Sequence, residues 1–150
     1  MGAAPRLDDQ RRYELTHEQL AIRLALTGGG ALLAIAGSAM PWTSGLAHVT
    51  EGRLSGDGRY TALLALALLG CAAWYYRRPE TSSARMGAAV AVALLALAIV
   101  DWNTVSDDVD TANHAAGLYA SASVAPGIWV LLIGAILGTV GALWTLRVDR

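Results

Sequence analysis

Three carboxylates crowd one stretch of this 150-residue chain: Asp107, Asp108 and Asp110, with Asn113 and His114 close behind and no Lys or Arg between residues 103 and 125. Oxygen-rich groups of this kind hold Ca²⁺, and the imidazole adds the chemistry of a mixed site for a transition metal. The spacing departs from the EF-hand loop, which needs a central glycine and a terminal glutamate. Asp107, Asp108, Asp110 and His114 therefore stand as cation candidates against the simpler expectation, a solvated acidic loop.

Other chemistry-bearing residues offer less. His17 and His48 are isolated in polar segments, where surface residues are the expectation. The single cysteine, Cys71, excludes an intramolecular disulfide, a cysteine-based zinc finger and a Cys-x-x-Cys redox pair. The glycine-rich connection 43–59 ends in Ser55-Gly56-Asp57-Gly58, and no Gly-Lys-Ser/Thr follows. It is turn chemistry rather than a phosphate loop. With no nucleophile–base motif in the chain, no catalytic residue is assigned, no cofactor is expected and the protein is not expected to be an enzyme.

The elements that must position these residues are apolar. Hydrophobic residues make up 55% of the chain and charged residues 15%, and the mean hydropathy is +0.43. Four stretches stand out, 24–42, 60–76, 84–102 and 126–146. As helices each reaches roughly 25 to 31 Å, the thickness of a bilayer's hydrocarbon core. Residues 86–100, MGAAVAVALLALAIV, carry no polar side chain on any face, so such a helix has no stripe to turn toward water. The expected fold is all-α: an integral membrane four-helix bundle, with residues 1–23 an N-terminal segment and 24–150 the four-span domain. Thr16, with Gln19 three residues on, marks a helix start in that segment. The short link 78–83 forces a helical hairpin, with Ser82 or Ser83 as its N-cap. A net charge of −1 supplies no basic field for nucleic acid.

Orientation follows from arginine. Arg6, Arg11, Arg12 and Arg23, then Arg77, Arg78 and Arg85, then Arg147 and Arg150 flank one side, whereas the other side has only Arg53 and Arg59. Positive charge is retained in the cytoplasm, so both termini are expected there, in a multi-pass plasma-membrane protein. Aromatic residues agree: Trp42, Tyr60, Trp102 and Trp129 fall at the outer ends, and Trp74, Tyr75, Tyr76 and Trp144 at the inner ones.

Inside the spans, ionisable groups would be the default functional signal. Arg23 and Asp101 lie at span ends, where water is expected to reach them, and no span centre carries one. A proton-coupled exporter therefore lacks its essential acid. Small residues are the stronger signal. Gly134 and Gly138 form a GxxxG with Gly141 one turn on, which lets helix backbones approach closely, and Gly28 to Gly30 interrupt the first span. Gly37-Ser38-Ala39 also has the spacing of a signal-peptide cleavage site, and the span is taken as a retained helix.

The run Pro126-Gly127-Ile128-Trp129-Val130-Leu131-Leu132-Ile133-Gly134 and the Gly56-Asp57-Gly58 turn resemble features of small four-helix integral membrane proteins common in actinobacteria, a group without a settled function. The resemblance implies four spans and a plasma-membrane address. The leading functional expectation is a non-enzymatic scaffold or accessory subunit whose partners are the lipid bilayer and a membrane protein or a second copy. The alternative is a channel or transporter component, with the glycine break in the first span and an acidic outer mouth.

Overall fold

The computed structural model describes residues 7–45, 58–78, 80–116 and 121–148. His48, the turn residues 55–57 and Tyr119 lie outside the described residues, as does the side chain of His17. Among the described residues are four helices: α1 (Leu7–Ala39), α2 (Gly58–Arg77), α3 (Thr81–Ala116) and α4 (Pro126–Val148). Two two-residue strands, β1 (Thr43–Ser44) and β2 (Ser123–Val124), pair antiparallel, Thr43 with Val124 and Ser44 with Ser123. Each helix packs on its neighbours in sequence, and α4 closes the ring against α1. The result is an up-down-up-down bundle.

Three helices contain a stretch long and apolar enough to cross a membrane, Glu18–Ala39, Thr81–Ala115 and Pro126–Arg147. The run in α2 is shorter, because Arg59-Tyr60 and Trp74-Tyr75-Tyr76-Arg77 bracket it.

Several boundaries differ from expectation. Thr16 and Gly28 to Gly30 all lie within α1, which runs unbroken from Leu7. Neither a start at 16 nor an interruption at the glycines occurs, because packing outweighs the modest helix penalty of glycine. The same helix stops at Ala39 rather than Trp42. Pro41 disfavours helical backbone at Met40, whose N–H makes the last bonds to Ala36 and Gly37 O at 3.2 and 3.3 Å. Between α2 and α3, the cap position belongs to Glu80, whose carbonyl accepts from Ala84 N–H at 3.2 Å. Ser83 Oγ donates to that same carbonyl at 2.7 Å and Ser82 Oγ to the Glu80 carboxylate at 3.3 Å, so the serines brace the cap.

The largest correction concerns 103–125. The segment expected as an outer loop continues α3 as helix to Ala116. No Gly or Pro interrupts residues 88–116, and Val105 and Val109 extend the buried face below Asp101 at four-residue spacing. Residues 103–116 add about 21 Å to the rod.

The core is built largely of alanine: Ala31, Ala34, Ala65, Ala91, Ala98 and Ala135 are fully buried, with Leu68, Leu94, Ile128 and Leu131 between them. Small side chains bring helix axes together, so that dispersion contacts run along the helix faces.

Candidate functional site

Along α1 and α4 a single register holds throughout. A Cβ built on Gly134 would sit 2.5 Å from Ala34 N, one on Gly141 2.7 Å from Thr27 N, and one on Gly127 2.5 Å from Pro41 O. Gly30 faces Gly138 and Gly37 faces Leu131 in the same way. The two numbers in each pair add to one total, as a strictly antiparallel pair of straight helices requires. Contact positions on α4, namely 127, 131, 134, 138 and 141, alternate steps of four and three, which keeps one seam facing one partner. Gly30 and Gly134 approach each other reciprocally, since a Cβ on either would lie 2.7 Å from the other's carbonyl oxygen.

Gly134 and Gly141 thus lie in the α1–α4 seam. Gly138 lies at the seam's edge, where a Cβ built on it would sit 3.0 Å from Leu68 Cδ2 of α2.

Hydroxyls satisfy themselves on backbone carbonyls beside this seam. Thr27 Oγ1 donates to Arg23 O at 2.9 Å and Thr145 Oγ1 to Gly141 O at 2.9 Å. Ser38 and Thr61 lie 2.8 Å apart and join α1 to α2. Thr139 Oγ1 approaches Ala135 O at 2.7 Å and, across to α3, Ala91 O at 3.1 Å. Gly37 and Ser38, which carry the cleavage-like spacing, are accordingly interior residues.

The two ends of the bundle differ chemically. At one end Trp42 is buried, its Nε1 donating to Gly37 O at 3.0 Å, while its own carbonyl accepts from Ala125 N–H at 2.7 Å. Trp102 and Trp129 touch with ring centroids 4.3 Å apart. The Asn113 side chain pairs with the backbone of Ala122 in both directions, Nδ2 donating to its carbonyl at 3.0 Å and Oδ1 accepting from its N–H at 2.7 Å. One side chain thereby fastens the projecting α3 to the strand that precedes α4.

At the other end Arg23 is only 5% exposed. Its guanidinium stacks over Trp144 at 5.6 Å and donates to Gln19 Oε1 at 3.1 Å. Asp101, toward the opposite end, is 6% exposed. Both were expected to reach water and do not: helix packing encloses them.

Helical geometry also separates the three carboxylates. Asp107, Asp110 and His114 share one side of α3, whereas Asp108, one residue on from Asp107, is rotated about 100° away. His114 Nδ1 lies 2.7 Å from Asp110 O. Among the described residues no group of three His, Cys, Asp or Glu side chains is placed to hold a metal ion.

Fold and site together define an all-helical bundle with three apolar helices of membrane-crossing length and a glycine-lined α1–α4 seam. Comparison with protein-family models, with curated proteins and with solved structures finds no match.

Proposed function

We propose that this chain is a four-span plasma-membrane protein with both termini in the cytoplasm, and that it serves as a non-enzymatic scaffold or accessory subunit, packing on a larger membrane complex or on a second copy. Its outer surface supports the embedding. Leu32 on α1, Leu63 on α2, Val92 on α3 and Ile136 on α4 are 57%, 62%, 50% and 49% exposed. Every helix therefore turns large apolar side chains outward, a surface suited to hydrocarbon. The second crossing, α2, rests on this outward face and on its antiparallel pairing with α3.

The observation that carries the scaffold reading is the α1–α4 seam. Backbones in contact from Thr27 to Pro41 on one side and from Gly127 to Gly141 on the other leave no route between them there, and Gly30, one of the glycines that motivate a channel reading, is part of that contact. The rigid bundle instead holds out the α3 tip, with Asp107, Asp108 and His114 exposed for a partner. The test is purification of a tagged copy in mild detergent, with mass and composition measured on the eluted particle. A stoichiometric complex or a defined homo-oligomer is expected. A lone monomer that passes ions in proteoliposomes would overturn the reading.

A further inference from the structure

The end of α2 carries an open groove of about 470 Å³ lined by Gly70, Ala73, Trp74, Arg77 and Arg78. Gly70, Ala73, Trp74 and Arg77 follow one another at helical spacing, so they form one outward strip along the helix. At its upper end nothing lies within 4 Å of a Cβ built on Gly70, so the strip begins as a notch between apolar neighbours. At its lower end are two exposed guanidiniums, and among the described residues no carboxylate pairs with either. The nearest acid in sequence, Glu80, accepts a hydrogen bond from Ser82 at 3.3 Å. Between notch and guanidiniums stands Trp74, half exposed at 52%.

We propose that this groove is a binding site for one anionic phospholipid of the cytoplasmic leaflet, its phosphodiester held by Arg77 and Arg78 and an acyl chain lying over Trp74 into the Gly70 notch. The proposal rests on the membrane reading above. Its chemistry is complementary at each level. The planar forks of arginine match phosphate oxygens. Tryptophan favours the depth where headgroup meets chain. An open notch beside a glycine accepts a methylene chain without moving any side chain. Gly70 to Arg77 spans about 10 Å along the helix, the stretch from upper acyl chain to headgroup. Basic residues at the cytoplasmic ends of helices are the usual partners of anionic lipid.

The experiment is native mass spectrometry of the full chain in an uncharged detergent, titrated with dioleoyl phosphatidylglycerol or dioleoyl phosphatidylcholine at low salt. One phosphatidylglycerol is expected to bind in preference to phosphatidylcholine. The double variant Arg77→Gln/Arg78→Gln should lower its affinity roughly ten- to thirty-fold and lower that of phosphatidylcholine less, because the choline cation already offsets the same phosphodiester. Gly70→Leu, whose Cβ meets nothing within 4 Å, should weaken both lipids without lowering thermal stability. Arg59→Gln, at the opposite end of the helix, should bind as wild type. Three results would overturn the site: unchanged phosphatidylglycerol binding in the double variant, an equal loss in Arg59→Gln, or competition by soluble glycerophosphoglycerol at concentrations similar to the lipid. Failure of the membrane reading looks different, because the chain would then stay in solution when detergent is withdrawn.

Discussion

Gly30 and Gly134 are reciprocal: a Cβ on either residue would lie 2.7 Å from the carbonyl oxygen of the other. Neither position has a flexible side chain opposite it that could move aside. The contact is backbone on backbone, and relief requires the two helices to move apart.

A graded alanine series follows. Gly30→Ala, Gly134→Ala and Gly141→Ala should each destabilise the bundle by about 1–3 kcal/mol, the usual scale of overpacking. Gly138→Ala should cost less, since its closest neighbour is the end of the Leu68 side chain, and Gly138→Leu should disrupt the bundle. Gly29→Ala and Gly70→Ala, with nothing within 4 Å, should be neutral or gain up to about 1 kcal/mol from helix propensity. Thermal unfolding in detergent ranks the series, and equal losses at Gly29 and Gly134 would contradict the seam.

The hydroxyl pair joining α1 to α2 should couple weakly. A double-mutant cycle on Ser38→Ala and Thr61→Val is expected to return an interaction of about 0.6 kcal/mol, because either hydroxyl can fall back on its own helix's carbonyl, Ala34 or Gly58. A coupling above about 2 kcal/mol would mean that the pair has no such fallback.

Asn113 should act as a clasp. Asn113→Ala leaves both the N–H and the carbonyl of Ala122 without their partner, at about 1–3 kcal/mol. Hydrogen exchange at the Ala122 amide should accelerate while amides in the seam stay protected. Asn113→Asp keeps the acceptor for the Ala122 N–H but sets a carboxylate oxygen against the Ala122 carbonyl, and should restore that protection only in part.

Topology can be checked by cysteine labelling on a Cys71→Ala background. Ser44→Cys and Ser106→Cys should react with a membrane-impermeant maleimide applied outside cells, and Ser82→Cys should not. Reaction at position 82 from outside would reverse the orientation.

For the acidic tip, Ca²⁺ is expected to leave the melting temperature unchanged in wild type and in Asp107→Asn/Asp108→Asn/Asp110→Asn alike. The helix turns Asp108 away from the other two, so three carboxylates cannot converge on one ion. A Ca²⁺-dependent rise that the triple variant loses would show that they do.

Much of the bundle was legible in sequence because apolar runs and helical hairpins are local signals. The partners of Gly134 and Gly141 were not: a small-residue stripe says that something comes close, and only the register identifies Ala34 and Thr27 on α1. The extension of α3 was missed although its signal was present. Val105 and Val109 repeat at helical spacing with no glycine or proline among them, but the charges beside them suggested a loop. Arg23 and Asp101 depart from expectation for a related reason: nearness to the end of an apolar run does not decide exposure. The Asn113–Ala122 clasp pairs a side chain with a backbone across a turn, a contact that no residue-type pattern announces.

The projecting α3 fixes distances that a loop of the same residues would leave free. At 1.5 Å per residue, Asp107 stands about 8 Å beyond Trp102 and His114 about 18 Å. The Debye length in physiological salt is about 8 Å. In the proposed orientation, Asp110 and His114 lie more than one screening length from the charged headgroup plane, so lipid charge reaches them only weakly. A cationic partner approaching the tip meets each carboxylate at its own fixed height and rotation about α3.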